Sequence, residues 1–347
     1  MDTWKRIRRV GWAAPALALV VALSLFSRPV TVASPGAAGT LTPLTRGGCC
    51  TRPFWSADSQ HVLYIDKPDA SAPVGIYGVD IAQPGAPKLV TPRIALYTHG
   101  MSLVIEPGPG STTLERVSDG KRWSVPADGA LVTVSPSKTR IAWTEGSAGA
   151  SPEARVTRIR AANFDGSGEK TVASVRGGSI GGWISDDVLL VGGRGAPATL
   201  ESVLYRLSIA TGELTELARA ENLRGPSLSP DGTWVAFNVA PNPDPDENGL
   251  WVAQTDGSGR FRAPPDLFGP YQWRDARRLL IIPFNPTAES HEFWELDATT
   301  QQARRLTDPA VTPFKINDGD WVVAPDGRQV AFVSARDRNL WLLSLPE

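Results

Sequence analysis

A chain of 347 residues with formal charge −1, 41% hydrophobic residues, 33 Gly and 30 Pro is long enough for one large all-β domain or two ordinary ones. Setting aside Asp2 and the five bases Lys5, Arg6, Arg8, Arg9 and Arg28 near the N-terminus moves the charge of the remainder from −1 to −5. A mildly acidic body gains nothing from counterion release on a polyphosphate, which argues against nucleic acid as a partner.

The N-terminus differs from the rest. Residues 1–9 form a basic flank, residues 10–27 an apolar run, and residues 28–40 a Pro, Gly, Ala and Ser rich linker. A basic flank followed by an apolar run of that length is a transmembrane anchor or a cleaved signal segment, and the residues do not choose between them. Either way, the distribution of bases directs the remainder outward, to an extracytoplasmic location. The membrane is met through this segment only. The apolar run is not followed directly by a Cys, which argues against a lipoprotein. The chain's only cysteines, Cys49 and Cys50, are adjacent; they could form a vicinal disulfide, pair between chains or stay reduced, and they lack the further ligands a zinc site needs.

From residue 41 to 347 a β unit recurs. A turn cluster precedes a run of β-branched and aromatic residues at Trp55, Val134, Trp183, Leu228, Trp273 and Val323, most clearly as LSPDGTWVAF and VAPDGRQVAF. Hairpins with Asp-Gly or related turns follow from Ile76, Thr113, Arg158, Val203, Leu250 and Phe293. Such pairs tolerate the positive φ a tight turn requires. Alternation such as Val203, Tyr205, Leu207, Ile209 is strand periodicity, and no stretch beyond residue 30 keeps a helical one. A β unit repeating every 40–50 residues or so is the mark of a propeller. The spacing predicts a single all-β propeller of seven four-stranded blades, at residues 53–92, 93–128, 129–176, 177–220, 221–265, 266–311 and from 312. Six blades is the alternative if the second, which lacks the turn signature, merges with a neighbour. The last blade is one strand short at Glu347, and Thr40 onward supplies the missing strand, closing the ring and hiding its edges.

Candidate chemistry is sparse. Gly177-Gly178-Ser179-Ile180-Gly181 has the letters of a nucleophile elbow, yet a strand is expected after it where the elbow needs a helix. Residues 166–171 imitate a phosphate loop without its Gly-Lys-Thr order and sit in a hairpin. The recurring Asp231 and Asp326 are read as turn formers, bonding the backbone two residues on. Asp244, Asp246 and Asn248, followed by Gly249, place oxygens at alternate positions as a Ca²⁺ loop does, with Thr255 where a bidentate Glu would stand. No cofactor is implied beyond Ca²⁺ at that loop.

The residues Ser229-Pro230-Asp231-Gly232 and Pro325-Asp326-Gly327, each followed closely by Val-Ala-Phe, with the Asp-Gly hairpins at Asp165 and Asp256, resemble the TolB-type, Trp-Asp-repeat-like propellers of bacterial exported proteins. That resemblance spans roughly residues 41–347 and implies a binding platform outside the cytoplasm. Long loops at residues 240–249, 144–153, 284–291 and 313–320 are expected on one face, where binding residues concentrate. Near the starts of innermost strands, Arg52, Trp183, Arg224, Tyr271 and Lys315 are the candidate ligand-binding residues, of types that dominate interface energies. The function expected is a non-catalytic scaffold for a protein, peptide or cell-envelope component. The alternatives are a propeller enzyme (lactonase, lyase or hydrolase) with metal or carboxylates in the central funnel, and an envelope sensor domain, for which a cytoplasmic output domain is lacking.

Overall fold

The computed structural model describes residues 39–48, 52–146, 155–195 and 201–346. The flank at 1–9, the apolar segment at 10–27, the linker to residue 38, Cys49, Cys50 and most of the 144–153 loop lie outside them. No described helix is long and apolar enough to cross a membrane.

The chain forms seven four-stranded antiparallel sheets. Strand β1 (Thr40–Pro43) is set apart from the first blade, I, which comprises β2 (Phe54–Trp55), β3 (His61–Asp66), β4 (Gly75–Asp80) and β5 (Lys88–Thr91). Blade II holds β6 (Leu96–Tyr97), β7 (Leu103–Gly108), β8 (Ser111–Arg116) and β9 (Arg122–Val125); blade III holds β10 (Thr133–Val134), β11 (Arg140–Gly146), β12 (Val156–Asn163) and β13 (Lys170–Arg176). Blade IV contains β14 (Ser179–Ser185), β15 (Val188–Arg194), β16 (Glu201–Ser208) and β17 (Leu214–Glu221); blade V contains β18 (Leu223–Leu228), β19 (Trp234–Val239), β20 (Gly249–Gln254) and β21 (Arg260–Arg262). Blade VI is β22 (Tyr271–Trp273), β23 (Arg278–Ile281), β24 (Trp294–Asp297) and β25 (Ala303–Arg305), and blade VII is β26 (Ile316–Val323), β27 (Gln329–Ser334) and β28 (Leu340–Ser344), completed by β1. Described helix is confined to two 3₁₀ turns, His99–Met101 and Pro265–Leu267.

The expected blade divisions hold throughout, and the six-bladed alternative does not. Blade II is a full sheet whose first turn uses other residues. Gly100 and Met101 take positive φ there, and a Cβ on Gly100 would stand 2.7 Å from Ala57 Cβ of blade I. The same device operates where the Asp-Gly signature is plain. A Cβ on Gly232 would lie 2.2 Å from the Ile184 carbonyl oxygen of blade IV, and one on Gly327 2.6 Å from the Arg274 carbonyl oxygen of blade VI. These glycines supply both positive φ and close approach to the preceding blade. Their Asp partners act as turn formers: Asp231 Oδ1 accepts from Thr233 N at 3.1 Å and Asp326 Oδ1 from Arg328 N at 2.9 Å.

The core is a ring of layers between blades. One cluster joins Trp55, Val62, Tyr64 and Val79 of blade I to Ala331, Val333 and Leu342 of blade VII; another joins Leu280 and Phe293 of blade VI to Trp321 and Phe332 of blade VII. Polar latches stitch the inner strands. Trp55 Nε1 donates to Val322 O at 3.1 Å, Trp273 Nε1 to Ser227 O at 3.0 Å, and Gln272 Nε2 to Trp321 O at 2.6 Å. Closure is by β1, which pairs with β28 from Thr40↔Ser344 to Pro43↔Trp341.

Candidate functional site

Alternation of strands places the connections between second and third strands, and those between blades, on one face. The Asp-Gly turns line the other. On the first face the 282–293 connection of blade VI packs against the 306–315 connection leading into blade VII. His291 N donates to Phe314 O at 2.7 Å, and Lys315 Nζ donates to Ala288 O at 2.5 Å. Between these segments and the strand entry at Pro270 lies an apolar cleft of about 160 Å³, walled by Ile282, Phe284, His291, Ile316 and Trp321. The other side of the same loop borders a wider cleft of about 760 Å³, with Asp266, Glu289 and Glu292 in its lining. Phe284 belongs to both clefts and is 69% exposed.

His291 sits at the seam of the two. Its Nδ1 accepts from Ile316 N at 3.2 Å, which leaves the ring proton on Nε2. Burial, assisted by the charge of Lys315, lowers its pKa from the model-compound 6.5 to about 4, so the imidazole is neutral at pH 7. A neutral imidazole and a fixed ammonium beside an exposed aromatic ring can bind, and the arrangement lacks a paired nucleophile and base.

The structure brings some of the expected residues together. Lys315 is half-buried at this cleft, against the 284–291 loop expected to bind. Tyr271 opens β22 next to Pro270, but its hydroxyl bridges the carbonyls of Gly225 at 2.5 Å and Ala236 at 3.0 Å, latching blade VI to blade V, and burial raises its pKa. Arg224 is exposed on the neighbouring β18, 3.5 Å from Asn222 Oδ1. Arg52 is exposed in the connection ahead of β2, with φ 52°, and does not line either cleft. Trp183 is only 8% exposed, packed between blades III and IV, with Nε1 buried and unpartnered. In the sequence Phe284 and His291 are visible only as the two ends of a long loop. The available signal was that this loop begins with an aromatic residue and ends on one of only three His in the chain.

In the 240–248 loop the side-chain oxygens serve the loop itself. Asp244 Oδ1 accepts from Asp246 N at 2.9 Å and Asn248 Oδ1 from Asn242 N at 2.8 Å. The Arg262 guanidinium bonds the Asp246 and Asn248 carbonyls. Among the described residues no three His, Cys, Asp or Glu side chains gather closely enough to hold a metal ion. Ser179 begins strand β14, so the elbow letters lack the helix that would make them a nucleophile, and Gly166 and Gly168 form a hairpin turn between β12 and β13.

No family model matches the sequence, and no characterised relative does. Solved structures similar to it include an oligogalacturonate lyase from Vibrio parahaemolyticus, with TM-score 0.60 and 12% identity over 90% of this chain and 99% of that one. Dipeptidyl peptidase 4 from Porphyromonas gingivalis has TM-score 0.54 and 10% identity over 84% of this chain and 50% of that one. A TolB protein from Agrobacterium tumefaciens has TM-score 0.41 and 14% identity over 90% of this chain and 98% of that one. At such identities the first two show a likeness of fold alone, and one fold hosts many functions.

Proposed function

We propose that this protein is a non-catalytic, extracytoplasmic propeller scaffold that binds a protein or peptide of the cell envelope through its loop-rich face, at the junction of blades VI and VII. The observation that carries the reading is Phe284, a large aromatic side chain 69% exposed at the mouth of an apolar cleft, on the face where a propeller gathers its longest loops. Asp266 and Glu289 in the neighbouring cleft, where Glu292 is held by Arg305 at 3.6 Å, suit a partner segment with an apolar anchor beside a basic residue. The export and membrane attachment in this reading rest on residues 1–27.

Peptides selected on the full chain from a display library test it. The reading expects apolar-plus-basic sequences whose affinity falls about tenfold or more in Phe284→Ala, as removal of a buried anchor does. Selected peptides indifferent to that change would refute the site. The enzyme alternative draws on the shared fold of the oligogalacturonate lyase; turnover of oligogalacturonides by the purified protein with added divalent metal would establish it in place of the scaffold. A cation at Asp244, Asp246 and Asn248 would have to win the loop's oxygens from their backbone donors. A melt lowered by chelation and restored by Ca²⁺ would show that it does.

A further inference from the structure

The opposite face, formed by the tight turns, carries a second cleft that the scaffold reading does not use. It opens between blades II and III, has a volume of about 570 Å³, and is walled by Met101, Leu103, Val117, Trp123 and Phe164. Each wall comes from a turn or strand end on the same face: residues 98–103 and 116–123 of blade II, and Lys138 and Phe164 of blade III. Trp123 meets Phe164 edge to face with centroids 4.9 Å apart. Arg116 and Lys138 line the cleft, and Lys121 lies beside it over Trp123. Arg116 Cζ lies 5.1 Å and Lys121 Nζ 5.2 Å from the Trp123 ring centroid, and Lys138 Nζ donates to Ser102 Oγ at 3.1 Å across the blade boundary. Carboxylates stand outside the lining: Asp119 lies 3.5 Å from Arg116 Nε, and Asp186 Oδ1 accepts from Ser137 N, next to Lys138, at 2.9 Å.

We infer that this cleft is a binding site for a small organic anion, one carboxylate or sulfonate on an apolar or aromatic body. The charge balance calls for it. Two cations, Arg116 and Lys138, line the cleft from its two sides and among the described residues no carboxylate does, so an anion placed between them gains from both. The apolar floor calls for the body of the ligand, since a hydrated inorganic ion would leave Val117, which is 48% exposed, and the two rings in contact with water. The cation–π contacts hold the Arg116 and Lys121 heads over Trp123 before any ligand arrives, which reduces the ordering cost of binding. Lys138 comes from a different blade than the other two, so an anion here would also bridge blades II and III.

Calorimetric titration of the full chain with 3-phenylpropionate and with its neutral amide, 3-phenylpropionamide, tests the inference. The carboxylate is expected to bind and the amide to bind at least about tenfold more weakly, as loss of a charge-assisted contact implies. Lys138→Gln and Arg116→Gln should each weaken the carboxylate by a similar factor and leave the amide unchanged. Phe284→Ala, on the other face, should leave both unchanged. Circular dichroism of the two Gln variants reports whether they fold as the parent does. Equal affinity for acid and amide, no binding at millimolar ligand, or binding to anionic vesicles that the Gln variants lose while the free carboxylate is ignored would each overturn it.

Discussion

Arg274 shows how much one residue can hold. It is buried, and its guanidinium reaches Glu295 at 2.6 Å, the Gly327 carbonyl at 2.8 Å and the Pro346 carbonyl at 3.0 Å, tying blade VI to the first turn of blade VII and to the chain's last described residue. Arg304 meets the other oxygen of Glu295 at 2.8 Å. Arg274→Ala leaves Glu295 paired with Arg304 but takes away its other close partner and unpairs the Gly327 and Pro346 carbonyls, so it should lower unfolding free energy by about 3 kcal/mol in denaturant titration, and a loss under about 1 kcal/mol would contradict the latch. His291 makes a pH prediction. Its folded pKa of about 4 lies below the 6.5 of the free group. The unfolded chain therefore takes up the proton first as pH falls. Its contribution is full above pH 6.5 and is lost on descent toward 4. The slope of melting temperature against pH in that window should be shallower in His291→Gln than in the parent; equal slopes would show that His291 is not buried as described. Much at this scale was legible: the Asp-Gly turns announced themselves through φ and side-chain bonding. Tyr271 and Trp183 did not, since an aromatic residue on an inner strand has the same letter whether it faces a ligand or seals two blades.

Among elements, β1 has the largest consequence for its size. Four residues pair with β28, and the following turn adds Leu44 N to Leu340 O at 2.8 Å. Without them the outer edge of blade VII is unpaired, and an open edge recruits other chains. Deleting Thr40–Pro43 should lower the melting temperature and produce self-association in size-exclusion chromatography; a monomer with the parent's melt would show the ring is held without β1. The signature turns predict the same sensitivity between blades. Gly232→Ala forces a Cβ at positive φ into the Ile184 carbonyl and should cost about 1–3 kcal/mol or more, read by denaturant titration. Blade II is the hardest to read because its first turn uses Gly100 and Met101 without an Asp.

For the whole molecule, strand periodicity and turn chemistry are local, and the turn signature recurs in six of the seven blades, which is why the propeller could be read from letters. A binding site is not local. The cleft at blades VI and VII joins Pro270, Phe284, His291, Lys315 and Trp321, residues whose separation along the chain hides their convergence, and only Lys315 was anticipated individually. The cleft between blades II and III likewise depends on Lys138 and Phe164 arriving from a second blade. The most direct test of the central claim is site-specific photocrosslinking in intact cells that make the protein, with a benzophenone side chain at position 284 and, as control, at position 131, where Leu131 is 65% exposed on the same face of another blade pair. The account predicts one discrete adduct from position 284 and none from position 131. No adduct from 284, or the same products from both, would contradict a binding site at the junction of blades VI and VII.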